Sequence, residues 1–297
     1  MLSDDHGAKW RQANVPVAVT LTRVRFLSPT TGWAVGHGGV VLKTTNGGES
    51  WTLQLTGDTA ARIERDTAKD ELAHNVPGAA QRVTVAEQLV ANGPDKPFFD
   101  IHFTDEWNGL VVGAFGLAFA TRDGGKTWVS AATRLDNPEG LHLYELHAAG
   151  ADLYIAGEQG TVFRASGATG AFSKVTTPYN GTFFGMTSRM SGELILHGLR
   201  GNVFRSFDRG ESWSRVSVGL PVTVPASTVL NDGRIVLADE TGRVLVSTSV
   251  GAFRPIDVPN AFSFTGVAQA ADGGLVLSGI RGVLHLSANA LTESAAK

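Results

Sequence analysis

The chain has 297 residues with a formal net charge of −3, of which 42% are hydrophobic, 18% charged and 36 are glycine. That is the make-up of a folded, turn-rich chain, and its near-neutral balance gives no general electrostatic pull toward nucleic acid. It has no cysteine, which excludes disulfides, zinc-thiolate sites and cysteine nucleophiles, and no apolar run approaches the roughly 18 residues of a membrane-spanning helix.

The first residues, MLSDDHGAKW, are acidic and lack an apolar centre, so they are no signal peptide as they stand. If the protein is exported, its signal lies outside these residues. Residues 8–18, AKWRQANVPVA, resemble the segments that follow the turn-rich corners further along, ESWTLQL, KTWVSAA and ESWSRVS. Trp10 to Gln12 are therefore expected to be an outer strand with no three strands before it.

Residues 32–51 read GWAVGHGGVVLKTTNGGESW: an apolar run, a tight glycine turn, a second β-rich run and a corner ending on tryptophan. The phrase returns as GLVVGAFGLAFATRDGGKTW (109–128) and ELILHGLRGNVFRSFDRGESW (193–213), with weaker copies at 153–166, 234–247 and 274–287. Apart from one long step between the first two copies, the period is about forty residues, that of a four-stranded propeller blade. The fold class is all-β: one β-propeller domain, 1–297, of six four-stranded blades, the N-terminal outer strand completing the last blade and closing the ring. A degenerate seventh blade in the long step is the alternative.

The long step holds ARIERDTAKDELAHN (61–75) and AAQRVTVAEQLVANG (79–93), rich in helix formers and separated by Pro77-Gly78. Ile63, Leu72, Val76, Val83, Val85, Leu89 and Val90 form an incomplete apolar stripe. Residues 55–97 are read as a helical hairpin inserted between blades one and two. As an outer-to-inner-strand connection it shares a face with the glycine turns and overhangs the mouth of the channel there.

The corners Thr44–Trp51, Thr121–Trp128 and Ser206–Trp213 follow [ST]-x-[DN]-x-G-x-[ST]-W. Asn46, Asp123 and Asp208 are placed to accept backbone hydrogen bonds in their own turns. Trp51, Trp128 and Trp213 each bury an indole worth on the order of 4 kcal/mol at most. This corner is the Asp-box, or BNR repeat, and with the hairpin phrase before it the chain resembles the Ycf48-like photosystem II assembly and stability factor family over everything but the insertion. The resemblance implies a non-enzymatic helper of a membrane-protein complex: lumenal in a phototroph, and in other bacteria periplasmic and associated with an exporter. The partner is a membrane-protein complex or exporter component, with a hydrophobic small molecule as a further cargo. The insertion departs from the phototroph pattern.

Asp-boxes also occur in hydrolases, so carboxylate pairs matter. Asp100 and Glu145 hold equivalent places on inner strands (FFDIHF, LYELHA) and are the pair a glycosidase would use. The plainer reading has Arg23, Arg25, Asp100, His102, Glu145 and His147 lining a wet channel. The sialidase signature is absent, as are P-loop, HExxH, GxSxG and EF-hand patterns, so neither cofactor nor metal is expected. The glycine-turn tips carry His37, Phe115, Gln159, Arg200, Thr241 and Arg281, with Arg243 just beyond. Loops displayed on a rigid scaffold are where a propeller holds a partner, and the arginines suit carboxylates or aromatic faces.

Overall fold

The computed structural model describes residues 1–167, 170–248 and 251–293. Its strands form six antiparallel sheets, each following chain order strand by strand. The first is Leu21–Phe26, Gly32–Gly36, Val40–Thr44 and Thr52–Leu55; the second Phe98–Phe103, Gly109–Gly113, Ala118–Thr121 and Val129–Ser130. The third is Leu143–Ala149, Asp152–Gly157, Val162–Ser166 and Ser173–Val175; the fourth Phe183–Ser188, Leu194–Gly198, Val203–Ser206 and Ser214–Val216. The fifth is Ala226–Val229, Ile235–Ala238, Val244–Ser247 and Phe253–Ile256; the sixth has three strands, Phe264–Gln269, Leu275–Gly279 and Gly282–Leu286.

Second strands such as GWAVG, GLVVG and LILHG are buried at every residue, the mark of a strand covered on both of its faces. The chain divides into two compact units, one of residues 13–146 with 165–173, the other of 1–12, 147–164 and the chain from 174 on. In the first unit Trp33 stacks on Phe103 at 3.6 Å between ring centres, in a core with Val35, Val111, Phe119 and Trp128. In the second, Tyr154, Phe183, Leu196 and Phe204 form one core, Ile195, Val203, Ile235 and Leu237 another, and Val244, Phe264, Leu277 and Leu286 a third.

The glycines of the hairpin phrase have a steric cause. A Cβ on the first, at Gly36, Gly113, Gly198 or Gly279, would lie 2.0–2.4 Å from the carbonyl oxygen that precedes the inner strand of the same sheet. The second packs the tip against the segment leaving the outer strand: Gly160 against Tyr179, Gly201 against Leu220. At these positions the tip is wedged against the entry or the exit of its own sheet, which a bare backbone permits; the fifth tip departs from the pattern, with Asp239 where the others carry the first glycine.

Two helices separate the first two sheets, α1 (Gly57–Ala73) and α2 (Ala79–Asn92). α1 begins earlier than the helix formers suggest because Thr56 caps it, its Oγ1 accepting from the Thr59 amide. The packed face is alanine, Ala60, Ala61, Ala68, Ala79 and Ala86, whereas Leu72, Val76 and Val85 of the expected stripe are exposed. Small residues let the helices approach closely, and Arg82 ties them by donating to Glu64 and Glu71. α1 rests on the tip of the first sheet, where a Cβ on Gly39 would lie 2.6 Å from Gly57 Cα. Glu64 also accepts from Ser130 Oγ on the outer strand of the second sheet. A cavity of about 10 Å³ between helices and tip leaves barely room for one water.

The N-terminus corrects one expectation. Trp10 to Gln12 form no fourth strand on the sixth sheet. Residues 3–9 curl instead, with Ser3 Oγ accepting from the Gly7 amide and Asp5 Oδ1 from the Lys9 amide. A bridge joins Leu2 to Arg11, and Asn14 pairs in parallel with Ser50 of the first corner. The curl lies against the sixth sheet, Gly7 beside Val276, and the short helix α3 (Ala288–Glu293) buries Leu291 in that core.

Candidate functional site

The three corners repeat one hydrogen-bond scheme. Thr121 Oγ1 donates to Asp123 Oδ1 at 2.8 Å and accepts from the Gly125 amide at 3.0 Å; Asp123 also accepts from the Thr127 amide and hydroxyl. Ser206, Asp208, Gly210 and Ser212 repeat it. The Thr127 and Ser212 hydroxyls and amides lower Asp123 and Asp208 to about 2. Asn46 accepts from Thr44 and the Ser50 amide but donates to Ser50 Oγ. The indoles of Trp51 and Trp128 donate to the carbonyls of Gly48 and Gly125. These residues make structure.

Asp100 is not a channel-lining acid. It is fully buried and accepts from Arg25 Nε at 3.1 Å and Nη2 at 2.6 Å, from the Ile101 amide at 2.8 Å and from the Leu146 amide at 3.0 Å. Arg23 Nε lies 3.4 Å away, and Glu145 is 3.4 Å from Arg25 and 4.0 Å from Arg23. Burial pushes the Asp100 carboxyl up, but Arg23 and Arg25 outweigh it and hold the group below its ordinary range. A carboxylate with both oxygens so occupied is a tether between inner strands, with no lone pair directed at a substrate. His102, half-buried nearby, is pushed down first by burial and then by Arg25, against Asp100. His147 pairs with Ser188 Oγ at 2.8 Å. Among the described residues no group of three or more acids and histidines is placed to hold a metal ion.

The tips are different in kind. Phe115, Gln159 and Arg200 are exposed and left-handed, with φ of 55°, 51° and 56°, where the first sheet has Gly38 at 72°. Each carries a side chain at a position that favours glycine, a local cost of the kind found where display matters. His37 is exposed but stands one place earlier, equivalent to Ala114 and Leu199, whose amides likewise bond to the carbonyl before the inner strand. Arg281 is exposed at its own tip. Arg243 is a clamp: its Nε donates to Asp239 Oδ2 at 2.7 Å and its Nη1 to the Val218 carbonyl, while Asp239 accepts from Thr241. It braces the fifth tip and is withdrawn from the expected contact set.

Beside Arg200 opens a groove of about 600 Å³ lined by Pro178, Tyr179, Asn180, Gly181 and Leu199. Beside Phe115 lies an aromatic shelf that motif reading missed. Phe99 stacks on Tyr144 at 5.0 Å, His142 is 4.8 Å from Phe115, and Lys96 Nζ sits 5.4 Å over the Phe115 ring. Also missed was a repeated cation on the third strand: Lys43, Arg164 and Arg205 donate to the carbonyls of Gly124, Arg209 and Gly251 in the next corner. The second sheet has Ala120 there, and Arg134 supplies the missing donor to Gly170. The phrases VLKT, VFRA and VFRS carried that signal.

The model of the family described as photosynthesis system II assembly factor YCF48 matches residues 80–236, more than half of the chain. The chain belongs to this family. A photosystem II assembly lipoprotein Ycf48 from Synechococcus sp. (strain CC9902) is 28% identical over 118 residues, which is 38% of this chain and 35% of that protein. The match therefore spans about a third of the curated relative's length. Among solved structures, a Ycf48 bound to a D1 peptide superposes with a TM-score of 0.66 at 16% identity, covering 93% of this chain and 81% of that one. An ancestral GH74 enzyme superposes at 0.64 and 12% identity over 92% of this chain and 36% of that one. The YCF48-family chain thus shares a β-propeller fold with proteins of unlike activity, so its fold alone does not choose among them.

Proposed function

We propose that this chain is a non-enzymatic propeller that holds a segment of a protein partner during assembly of a membrane-protein complex. Membership of the YCF48 family over residues 80–236 carries the reading. It is supported by a likeness to a Ycf48 whose structure contains a D1 peptide, and by tips that expose Phe115, Gln159 and Arg200 at a backbone cost. In this reading 1–297 is one propeller domain with 55–97 as its insertion. His37, Phe115, Gln159, Arg200 and Arg281 make the contacts, and α1 and α2 extend the surface beside the first tip. The partner is a photosystem subunit in a phototroph, met in the lumen, or an exporter component met in the periplasm.

The glycosidase reading loses its support at Asp100, whose oxygens are taken by guanidinium and amide donors. The test is calorimetric titration of a D1 peptide into the chain and into its Arg200→Glu and Arg281→Glu variants. Saturable binding weakened by either reversal supports the proposal. Binding indifferent to both removes the tips from it, and no binding by the parent chain removes the photosystem client.

A further inference from the structure

The sequence contains four Asn-Gly pairs, at 46–47, 92–93, 108–109 and 180–181. An asparagine followed by glycine is prone to deamidation: the glycine nitrogen attacks the asparagine Cγ, ammonia leaves, and water opens the cyclic imide to aspartate or isoaspartate. A side chain on the following residue would hinder the attack, and glycine has none. The attack further requires an amide nitrogen that is not donating elsewhere and a carboxamide free to turn.

Three of the four pairs are held. The Gly47 amide donates to the Thr30 carbonyl at 2.9 Å, and Asn46 is fixed at both ends of its carboxamide by Thr44 and Ser50. The Gly93 amide donates to the Val90 carbonyl at 3.3 Å, and Asn92 is the last residue of α2. Asn108 donates from Nδ2 to Asp105 Oδ2 at 2.8 Å, and its own amide donates to Asp105 Oδ1 at 2.7 Å. Asn180 is otherwise placed. It is exposed in an irregular stretch, and among the described residues neither its carboxamide nor the Gly181 amide has a hydrogen-bond partner within the protein.

We infer that Asn180-Gly181 is a built-in deamidation site at the edge of the Arg200 groove. The glycine cannot be exchanged cheaply for a residue that would protect it. A Cβ on Gly181 would lie 2.1 Å from Tyr179 Oη, and that ring is itself held against Phe183 and Phe204. The packing that seats Tyr179 therefore imposes the labile pair. Conversion to aspartate sets a carboxylate in the groove that Arg200 lines. Conversion to isoaspartate also lengthens the backbone between the Tyr179 carbonyl, which Gly160 approaches closely, and the Gly181 carbonyl, which accepts from the Gly160 amide at 2.8 Å. It thereby disturbs the seat of the third tip. The chemistry stands on the local geometry alone; only its consequence for capture rests on the proposed function.

The test is peptide mapping by mass spectrometry of the whole protein, incubated at mildly alkaline pH while folded and, in parallel, in denaturant. Asn180 is expected to convert in the folded protein while Asn46, Asn92 and Asn108 stay intact, and denaturant is expected to bring all four to similar rates. Conversion of a held pair as fast as Asn180 in the folded protein, or no conversion of Asn180, overturns the inference. Asn180→Asp is then compared with the parent for D1-peptide binding, with a loss of about tenfold expected from the charge placed beside Arg200. If the parent binds no peptide the proposed function fails while the mapping result stands; if the parent binds and Asn180→Asp binds equally, the coupling to the groove is wrong.

Discussion

Asp100→Asn separates a structural role for this residue from a catalytic one. The substitution keeps the shape but removes the charge facing Arg23 and Arg25, and it turns one oxygen into an amide group. The Ile101 and Leu146 amides each point at a different oxygen of Asp100, so whichever way the new carboxamide turns, one backbone donor faces another donor. Breaking a buried ion pair by removing one partner costs about 3–5 kcal/mol. Arg23 and Arg25 have side chains 37% and 36% exposed and recover part of their hydration, so the lower end, about 3 kcal/mol, is expected. Urea denaturation read by tryptophan fluorescence gives the loss, and hydrogen exchange gives its place: protection should fall first in 98–103 and 143–146. Adding Arg25→Met to Asp100→Asn should cost less than the sum of the single changes, because the pair is coupled. A loss below about 1 kcal/mol, the scale of an exposed pair, would refute the tether.

Three further outcomes follow from the corners and tips. Asp123 and Asp208 are lowered from 3.8 to about 2 in the folded protein, so their contribution is complete above the unfolded value and is lost as pH falls from about 4 to about 2; hydrogen exchange against pH should show these two corners loosening while the Asn46 corner, with no acid there, does not follow. Asn46→Asp should leave the unfolding free energy from urea denaturation within about 0.5 kcal/mol of the parent, because Ser50 Oγ can turn to donate as the Thr127 hydroxyl does to Asp123. Gly198→Ala should cost about 2–3 kcal/mol by overpacking, since its φ of −165° suits any residue but the new Cβ meets the Thr182 carbonyl at 2.1 Å; thermal melting of the variant checks it.

Much of this architecture could be read from the chain because its causes are local. Where a tip is wedged against its own sheet, as at Gly36, Gly113, Gly198 and Gly201, packing demands glycine, and the corners demand a short hydroxyl, a short acceptor and a glycine in fixed order. The helical hairpin was visible from composition and Pro77-Gly78, but its buried face was not, since a tightly packed alanine face leaves no hydrophobic stripe. The N-terminal strand was misjudged because Ser3 and Asp5 capture backbone amides and curl the chain before it can extend. Among site residues, the equivalence of Asp100 and Glu145 on successive inner strands was legible, while Arg25, which occupies both oxygens of Asp100, comes from the first sheet, 75 residues away in sequence. Arg243 looked like its exposed neighbours because nothing in the phrase DETGRV announces that Asp239 folds back to claim it. The aromatic shelf joins residues 99, 115, 142 and 144 from separate strands and turns, a grouping that no period of the sequence marks.

The most direct trial of the account places a photo-crosslinking residue singly at Phe115, Arg200 and Arg281, and as controls at Lys126 and Arg209 in the corners, in cells of the source organism. Crosslinks to one membrane-protein partner from the tip positions, and none from the corners, are expected. Crosslinks from the corners alone, or none from any tip, would contradict it.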